Sequence, residues 1–351
     1  MTDILVSGGC GFVGRNLVRR LISTSQGETV WVVDDLSTGR DPDEWLPGGY
    51  ASVDAQGCMR RYESENGPTI IFIEADVREY LGPRAAFEAV RGPGYKFPES
   101  YADVYHFAAI VGGRAKIEGD PMAVAQDLAM DAEFFVWAVQ AKPGRILYPS
   151  SSAAYPVDLQ TKENAIAVKE DDISFGGRLG QPDMTYGWSK LTGEYLARIA
   201  AQDYGLNVAC VRPFSGYGED QELSYPIPAI AARAAAHEDP FIVWGTGRQG
   251  RDFVHIDDCI DAILLTMERI SDGSAVNIAS GKLTTFLEVA AIFTKLAGYS
   301  PKIKPLDDKP MGVHSRYADI TRSREILGWT PKITLEEGFA RVLAAASARR
   351  S

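Results

Sequence analysis

The sequence predicts an α/β protein: a doubly wound parallel sheet followed by a smaller C-terminal α/β domain. Two patterns predict it. Short runs of β-branched and aromatic residues alternate with helix-length amphipathic segments up to about residue 213. These runs are almost wholly apolar, which is typical of strands in a parallel sheet that helices cover on both faces. Strands and helices in regular alternation then indicate the doubly wound architecture.

The elements follow this alternation in order. The predicted strands are residues 3–7, 29–34, 69–76, 104–109, 145–151 and 207–213, and the predicted helices are residues 12–23, 84–90, 121–140 and 187–204. Further on, apolar runs at 241–244 and 276–279 mix with helical segments at 257–269, 286–296 and 335–346. We therefore place the first domain at 1–212 and the second at 213–351, with a strand and helix near 250–270 returning to the first.

One connection stands out by its length. Residues 41–68 carry no clear strand in the sequence. Connections this long are usually functional or contain helix of their own. We therefore expect a partly helical insertion there.

Composition narrows the class of protein. The 351 residues are 45% hydrophobic and 24% charged, as in globular proteins with a large core. No apolar run reaches the roughly 18 residues of a membrane span, and the chain start lacks a signal-peptide pattern, so we expect a cytoplasmic protein. The net charge of −11 argues against a nucleic-acid partner. The four cysteines have neither CxxC nor metal-ligand spacing, so we expect reduced thiols and no metal.

A glycine-rich turn follows the first predicted strand. Gly8, Gly11 and Gly14 have the spacing of a dinucleotide-binding Rossmann fold, in which they allow a tight turn, a close pyrophosphate and close helix packing. The helix start offers free N–H groups to the phosphates. Asp34 follows Gly14 by 20 residues, where a carboxylate binds the adenosine ribose and repels a 2′-phosphate, which favours NAD over NADP. Asp76 ends the third strand and either meets the adenine or caps a helix.

A second constellation predicts proton transfer. Tyr186 and Lys190 are four residues apart, which places both on one face of a helix. The ammonium group favours the phenolate, so we expect the pKa of Tyr186 to fall towards neutrality and the phenol to act as a general base. A serine run, residues 150–152, ends a strand at the edge of the sheet where such folds bind ligands. Either motif alone is more often structural, but their combination after a dinucleotide turn favours catalysis.

The sequence resembles the extended short-chain dehydrogenase/reductase family, and within it the nucleotide-sugar epimerases and dehydratases. The resemblance rests on the glycine turn and on seven further segments, residues 34–39, 106–109, 150–155, 186–190, 212–213, 244–258 and 327–331. It implies a tightly held NAD and a nucleotide-diphosphate sugar bound between the domains. Ser151, four residues before Tyr155, is then the catalytic hydroxyl, beside Tyr186 and Lys190.

The resemblance also implies two sets of binding residues. The cofactor set is Gly8, Gly11, Phe12, Val13, Gly14, Asp34, Asp35, Ser37, Asp76, Val77, Ala108, Ala109, Val111, Tyr186, Lys190 and Pro213. The substrate set is Gly112, Gly113, Arg114, Ser151, Ser152, Ser215, Trp244, Arg251, Arg316 and Asp319. Surface ion pairs remain the alternative for the arginines and Asp319, and a core position remains the alternative for Trp244.

The segment 110–114 is similar to the substrate loop of GDP-mannose 3,5-epimerases and GDP-fucose synthases, which favours a GDP-sugar; UDP-, ADP- and CDP-sugars stay open. Two residues depart from those relatives: Ala153 replaces a cysteine acid/base, and Ser215 replaces a frequent asparagine.

Ala153 favours a 4-epimerase that works by transient oxidation at C4, since alanine cannot deprotonate carbon and the neighbouring Ser152 is a poor carbon base. A 3,5-epimerase, a 4,6-dehydratase and a 4-ketoreductase are the alternatives, with a non-enzymatic NAD-binding protein as another class. The resemblance also implies a homodimer, for which the helices at 121–140 and 187–204 are candidates.

Overall fold

The computed structural model describes residues 3–24, 27–110, 112, 114–177, 179–306 and 312–349, with the backbone alone at 114–116. The strands are β1 (Asp3–Ser7), β2 (Thr29–Asp34), β3 (Ala51–Gln56), β4 (Met59–Glu63), β5 (Thr69–Glu74), β6 (Asp103–His106), β7 (Arg145–Pro149), β8 (Ala167–Val168), β9 (Val208–Pro213), β10 (Ser215–Tyr217), β11 (Phe241–Trp244), β12 (Gly250–Arg251), β13 (Phe253–His255), β14 (Asp272–Ile278), β15 (Thr284–Thr285), β16 (Ile303–Leu306) and β17 (Ser315–Ala318). The helices are α1 (Phe12–Thr24), α2 (Pro42–Trp45), α3 (Val77–Leu81), α4 (Arg84–Arg91), α5 (Arg114–Gly119), α6 (Pro121–Val124), α7 (Asp127–Ala141), α8 (Met184–Gln202), α9 (Pro226–Ala235), α10 (Ile256–Arg269), α11 (Phe286–Leu296) and α12 (Leu335–Ala348).

A nine-stranded sheet forms the centre, in the order β14-β9-β7-β6-β1-β2-β5-β4-β3. Its pairs from β14 to β5 are parallel, which confirms the predicted fold class. The pairs β5–β4 and β4–β3 are antiparallel. Three small sheets, β10–β13, β11–β16 and β15-β12-β17-β8, lie in the C-terminal part of the fold.

The insertion at 41–68 differs from the expectation. It holds only one short helix, α2, while β3 and β4 form a hairpin that extends the sheet. All six residues of β3 are exposed, so its sequence carries no apolar face to reveal a strand. Arg60 on β4 fastens the hairpin to the helix start, because its guanidinium binds both carboxylate oxygens of Asp41 at 2.9 and 2.6 Å.

Apolar side chains cover both faces of the large sheet. On one face α1 and α10 bury Leu17, Val18 and Ile260 against the strands. On the other face α3, α4, α7 and α8 bury residues such as Phe134 and Ala197. Because α10 packs against α1 and β14 pairs with β9, part of the chain beyond residue 213 joins the large sheet.

A separate apolar cluster holds the C-terminal helices together. Helices α9, α11 and α12 converge on Phe241, Phe293 and Phe339, all fully buried. All four cysteines are free thiols. Among the described residues, no helix is both long enough and apolar enough to span a membrane.

Replacing Phe339 with alanine is expected to lower the free energy of unfolding by about 3–5 kcal/mol. The ring is fully buried and stacks on Phe293 with centroids 4.6 Å apart, so truncation leaves a cavity. Urea titration followed by circular dichroism measures the change. Val90→Ala, at a site that is 66% exposed, is the control and should change stability little. Equal effects of the two substitutions would contradict the role of this cluster.

Candidate active site

A cleft of about 720 Å³ opens at the carboxyl edge of the large sheet, at the ends of β1 and β6. The chain runs from β1 to β2 on one side, whereas β6 and β7 lie on the other, and open α/β sheets bind ligands at such a reversal. The lining includes all the described residues of the predicted cofactor set: Gly8, Gly11, Phe12, Val13, Gly14, Asp34, Asp35, Ser37, Asp76, Val77, Ala108, Ala109, Tyr186, Lys190 and Pro213. Val111 lies outside the described residues.

The glycine turn allows three backbone segments to meet at this edge. Gly8 has a φ of 67°, and a Cβ there would lie 2.5 Å from the backbone nitrogen of Ala108 on the neighbouring strand's extension. A Cβ at Gly14 would lie 2.3 Å from the carbonyl oxygen of Gly8. A side chain at Gly8 would push against the segment after β6, and a side chain at Gly14 would push α1 away from the turn after β1. The turn therefore presents backbone N–H groups and the start of α1 directly to the cleft.

Asp34 ends β2 and is fixed by the turn. Its Oδ2 accepts a hydrogen bond from the Cys10 N–H and its Oδ1 accepts one from the Leu36 N–H, each at 2.9 Å. Burial raises the pKa of this carboxyl group, and the two backbone donors oppose that rise. Asp76 caps α3 by accepting the Arg78 N–H at 2.8 Å, so the capping alternative left open for it is correct.

These features fit NAD. Backbone N–H groups and a helix start face the place of a pyrophosphate, and a fixed carboxylate stands where an adenosine ribose binds. The absence of a side chain at Gly8 and Gly14 is what brings these groups together.

The three predicted catalytic residues lie together on the cleft wall. Tyr186 and Lys190 are one turn apart on α8, and Ser151 follows β7. The Ser151 hydroxyl lies close enough to the Tyr186 phenol to lower its pKa, and it accepts the Ala153 N–H at 3.1 Å. Gly187 makes this approach possible, because a Cβ there would lie 2.4 Å from the Ala153 carbonyl oxygen.

The expectation for the pKa of Tyr186 is wrong in direction. Burial raises that pKa, and the nearby carboxylates of Asp127 and Asp131 raise it further. Lys190 and the Ser151 hydroxyl lower it but do not compensate. The prediction from helix spacing considered only the charge of Lys190. The carboxylates of Asp127 and Asp131 come from another helix, α7.

Those carboxylates belong to a buried polar cluster that the sequence reasoning missed. Asp127 and Asp131 lie one turn apart on α7, and both side chains are almost fully buried. Asp131 accepts the Tyr148 hydroxyl at 2.5 Å and lies 3.4 Å from His106 Nε2. Two acidic residues four apart in a largely apolar helix are the signal that could have revealed them.

Residues 218–225, here called the strap, cross the mouth of the cleft. Gln221, Glu222, Ser224 and Tyr225 line it. The fully buried guanidinium of Arg15 on α1 holds the strap by ion pairs at 2.7 Å to Asp220 and 2.9 Å to Glu222.

Two further bonds hold the strap at the same residue, Asp220. Arg19 pairs with Asp220 at 2.8 Å, and Arg40 donates to the Asp220 carbonyl oxygen at 2.9 Å. The sequence analysis did not predict these ion pairs. The acidic residues within 219–222 and the arginines of α1 are the pattern that indicates them.

The predicted substrate residues divide into two groups. Gly112 and Ser151 line the cleft, and Ser152 is buried beside Ser151. Gly113 and the side chain of Arg114 lie outside the described part of the chain.

Five others lie outside the cleft lining, on the C-terminal part of the fold. Arg251 and Arg316 are opposite each other on the paired strands β12 and β17. Arg316 is tied to Asp183, the residue before α8, by an ion pair at 2.8 Å.

The remaining three sit at strand ends. Ser215 begins β10, and Trp244 ends β11 with its side chain 49% exposed. Asp319 follows β17 and accepts the Thr321 N–H at 2.8 Å.

A doubly wound sheet with a dinucleotide turn and a Ser–Tyr–Lys site defines an NAD-dependent enzyme of the short-chain dehydrogenase/reductase type. The model of the NAD dependent epimerase/dehydratase family matches residues 4–87 and 96–279. The chain belongs to this family.

Relatives with different reactions are similar to the chain over most of its length. A dTDP-4-dehydro-6-deoxy-D-allose reductase of Streptomyces bikiniensis is 28% identical, with 94% of this chain and 91% of the relative covered. A UDP-glucose 4-epimerase of Mycolicibacterium smegmatis is 24% identical, with 97% and 96% covered.

Solved structures agree with the fold. A UDP-glucose 4-epimerase of Thermotoga maritima with UDP-glucose superposes with a TM-score of 0.77 at 24% identity, covering 99% of both chains. A dTDP-glucose 4,6-dehydratase of Streptomyces venezuelae with NAD superposes with a TM-score of 0.78 at 22% identity, covering 99% of this chain and 98% of the other.

Asp220→Asn is expected to speed the loss of NAD from the holoenzyme by about tenfold or more, since tenfold corresponds to only about 1.4 kcal/mol. The substitution removes the carboxylate charge that Arg15 and Arg19 share. Retained NAD is measured after timed dilution. The matched control is Asp261→Asn, which neutralises the partner of Arg20 on α1 away from the strap. Equal NAD loss from both variants would contradict a role of the strap in holding the cofactor.

Proposed function

We propose that this enzyme inverts C4 of a nucleotide-diphosphate sugar by transient oxidation, as an NAD-dependent 4-epimerase. The observation that carries the proposal is the composition of the turn after β7. The Ser151 hydroxyl lies near the Tyr186 phenol there. Ala153, two residues after Ser151, contributes only a buried methyl group. The turn thus supplies the groups for oxidation of an alcohol and no acid or base of its own for carbon chemistry.

The roles of the three residues follow from their contacts. NAD, when bound, supplies a hydride acceptor for the C4 carbon and a positive ring charge that favours the phenolate. Tyr186 takes the proton of the 4-hydroxyl group, and Ser151 orients that oxygen through its hydroxyl. Lys190 lowers the pKa of Tyr186 across one helix turn. Rotation of the 4-keto sugar before its reduction then gives the other C4 configuration.

We infer that Arg251 and Arg316 bind the diphosphate of the substrate. Guanidinium groups suit phosphate because they offer paired donors, and a protein of net charge −11 needs local cations for such a ligand. The two arginines are register partners on β12 and β17, and Arg316 also pairs with Asp183 at 2.8 Å. Asp319, one residue beyond β17, and Ser215 and Trp244 are the proposed contacts of the nucleoside and sugar.

A GDP-sugar remains the favoured substrate. The similarity of the 110–114 loop supports it, as does a GDP-L-fucose synthase of Sinorhizobium fredii that is 28% identical over 67% of this chain. UDP- and dTDP-sugars are the alternatives, since the other relatives include a UDP-glucose 4-epimerase and a dTDP-sugar reductase.

A 4-ketoreductase is the second candidate. It is favoured by the Streptomyces reductases, whose similarity extends over 94% of the chain. The two reactions differ in their use of cofactor, because a reductase consumes reduced cofactor from solution while an epimerase restores its own. Asp34 at the end of β2 opposes the 2′-phosphate of NADPH.

We also propose a homodimer formed through α7 and α8. Each helix bears two exposed apolar residues two turns apart, which places them on one face. These are Leu128 and Val136 on α7, exposed by 38% and 61%, and Trp188 and Tyr195 on α8, exposed by 46% and 47%. Helices α7 and α8 pack side by side, so the four residues can form one interface between copies.

Tyr186→Phe is expected to reduce turnover by about 10²–10⁴-fold, because the ring still packs but no oxygen remains to accept the proton. NAD binding should stay close to wild type. Turnover is measured with a panel of GDP-, UDP- and dTDP-hexoses, and bound NAD by its absorbance after denaturation. Tyr204→Phe, at a 58% exposed position after α8, is the control. A Tyr186→Phe enzyme that kept half of the rate would exclude Tyr186 as the base.

Turnover in D₂O is expected to give a C4 epimer without deuterium at C3 or C5, because only the hydroxyl proton exchanges in this mechanism. Mass spectrometry and proton NMR of the recovered sugar measure both outcomes. Deuterium at C3 or C5 would favour the 3,5-epimerase. A 6-deoxy-4-keto product would favour the 4,6-dehydratase, and consumption of added reduced cofactor would favour the 4-ketoreductase.

A further inference from the structure

Two carboxylates lie behind the catalytic pair without a role in the proton transfer described above. Asp127 and Asp131 each expose about 1% of their surface. Asp127 Oδ1 accepts the Ile110 N–H at 2.6 Å, which ties it to the segment after β6. Asp131 Oδ2 accepts the Tyr148 hydroxyl at 2.5 Å, which ties it to β7. Burying two carboxylates one turn apart is costly unless a cation compensates them.

Lys190 is a buried cation in the same cluster. Its side chain is 2% exposed, and its Nζ lies 5.3 Å from the centroid of the Tyr148 ring, whose hydroxyl Asp131 binds. His106 does not take this role, because burial lowers its pKa and its Nδ1 is engaged at 2.8 Å with the Ser7 hydroxyl. The ammonium group thus lies against the Tyr148 ring, whose hydroxyl binds Asp131, and Lys190 is one helix turn from Tyr186.

We propose that Asp127 and Asp131 are positioning residues whose buried negative charges act on Lys190 and Tyr186 and thereby set the pH range in which Tyr186 and Lys190 work. The inference rests on the proposed function, in which Tyr186 is the base. Neither carboxylate touches the reacting atoms. Each acts through the charge of Lys190 and through its own charge on the phenol.

The groups around each titrating residue fix the sign of the effect. Tyr186 faces Lys190 on its own helix, Asp127 and Asp131 on α7, the Ser151 hydroxyl, and Tyr225 on the strap.

Lys190 faces the same two carboxylates, the Tyr186 phenol and His106. Burial favours its neutral amine, yet Asp131 and Asp127 hold the pKa of Lys190 above its usual value. The carboxylates thus raise both pKa values together, that of the base and that of its cationic neighbour.

Removing one carboxylate charge should therefore lower both pKa values. Activity requires the Tyr186 phenolate and the Lys190 ammonium, so the acidic limb of the pH profile follows Tyr186 and the alkaline limb follows Lys190. For Asp127→Asn we expect both limbs to move to lower pH by about one unit, the lower end of the range for a neighbouring charge. The amide keeps an oxygen for the Ile110 N–H, so the backbone tie is preserved.

The experiment measures kcat and kcat/KM of the NAD-loaded enzyme from acidic to alkaline pH for the wild type, Asp127→Asn and Asp131→Asn. Asp103→Asn is the matched control, because Asp103 is also buried but pairs with Arg145 at 2.7 Å at the opposite end of β6. Its profile should not move. A uniform loss of rate at every pH in the α7 variants, with both limbs in place, would overturn the proposal and leave them a structural role.

A second measurement does not depend on turnover. The ultraviolet absorbance of phenolate is titrated for Asp127→Asn and for the wild type, each minus its Tyr186→Phe derivative, so that the Tyr186 signal is isolated. A lower Tyr186 pKa in the Asp127→Asn protein supports the inference, and an unchanged one overturns it. If the wild type converts no nucleotide sugar, the proposed function fails while this titration still decides the role of the carboxylates. If Asp131→Asn does not fold, Asp127→Asn decides the same question.

Discussion

The close approach of three backbone segments at the carboxyl edge of the sheet governs the site. The α1 start, the Gly8 turn and the segment after β6 lie so close that a single Cβ at Gly8 or Gly14 would come within about 2.5 Å of backbone atoms. This contact aims the N–H of Cys10 at Asp34, and it places Arg15 where it can reach the strap. The cofactor cleft is thus a consequence of missing side chains as much as of the polar groups that line it.

Several charged side chains of this protein form ion pairs in its interior. Its surface is acidic overall, while its substrate class is anionic, and several arginines are committed to internal ion pairs. Arg15 clamps the strap, and Arg212 binds Glu194 at 2.7 Å beneath the serine segment 150–152. Buried pairs of this kind contribute little net stability, since desolvation offsets their attraction, but breaking one is costly. These buried pairs fix the positions of the side chains around the site more than they raise the free energy of unfolding.

The family resemblance and the structure support different levels of the functional conclusion. The family, the NAD cofactor and the enzyme class follow from the fold, the glycine turn and the family match. The proposed reaction at C4 rests on smaller features, chiefly the buried methyl group of Ala153 in the turn that carries Ser151. Relatives with reductase and epimerase names share the scaffold at similar identity, so the side chains around the sugar distinguish the reactions.

The sequence by itself determined the features that depend on local repeats. The strands of the parallel sheet, the glycine turn and the one-turn spacing of Tyr186 and Lys190 follow from backbone periodicity, and each lies where it was predicted. Only the tertiary structure decided the hairpin at 51–63, whose fully exposed strand β3 carries no apolar pattern, and the clamp on the strap. It also decided the pKa of Tyr186, which burial and the carboxylates of Asp127 and Asp131 raise. These carboxylates lie more than 50 residues from Tyr186 in the chain, and electrostatic interactions depend on distance in space, which no local pattern encodes.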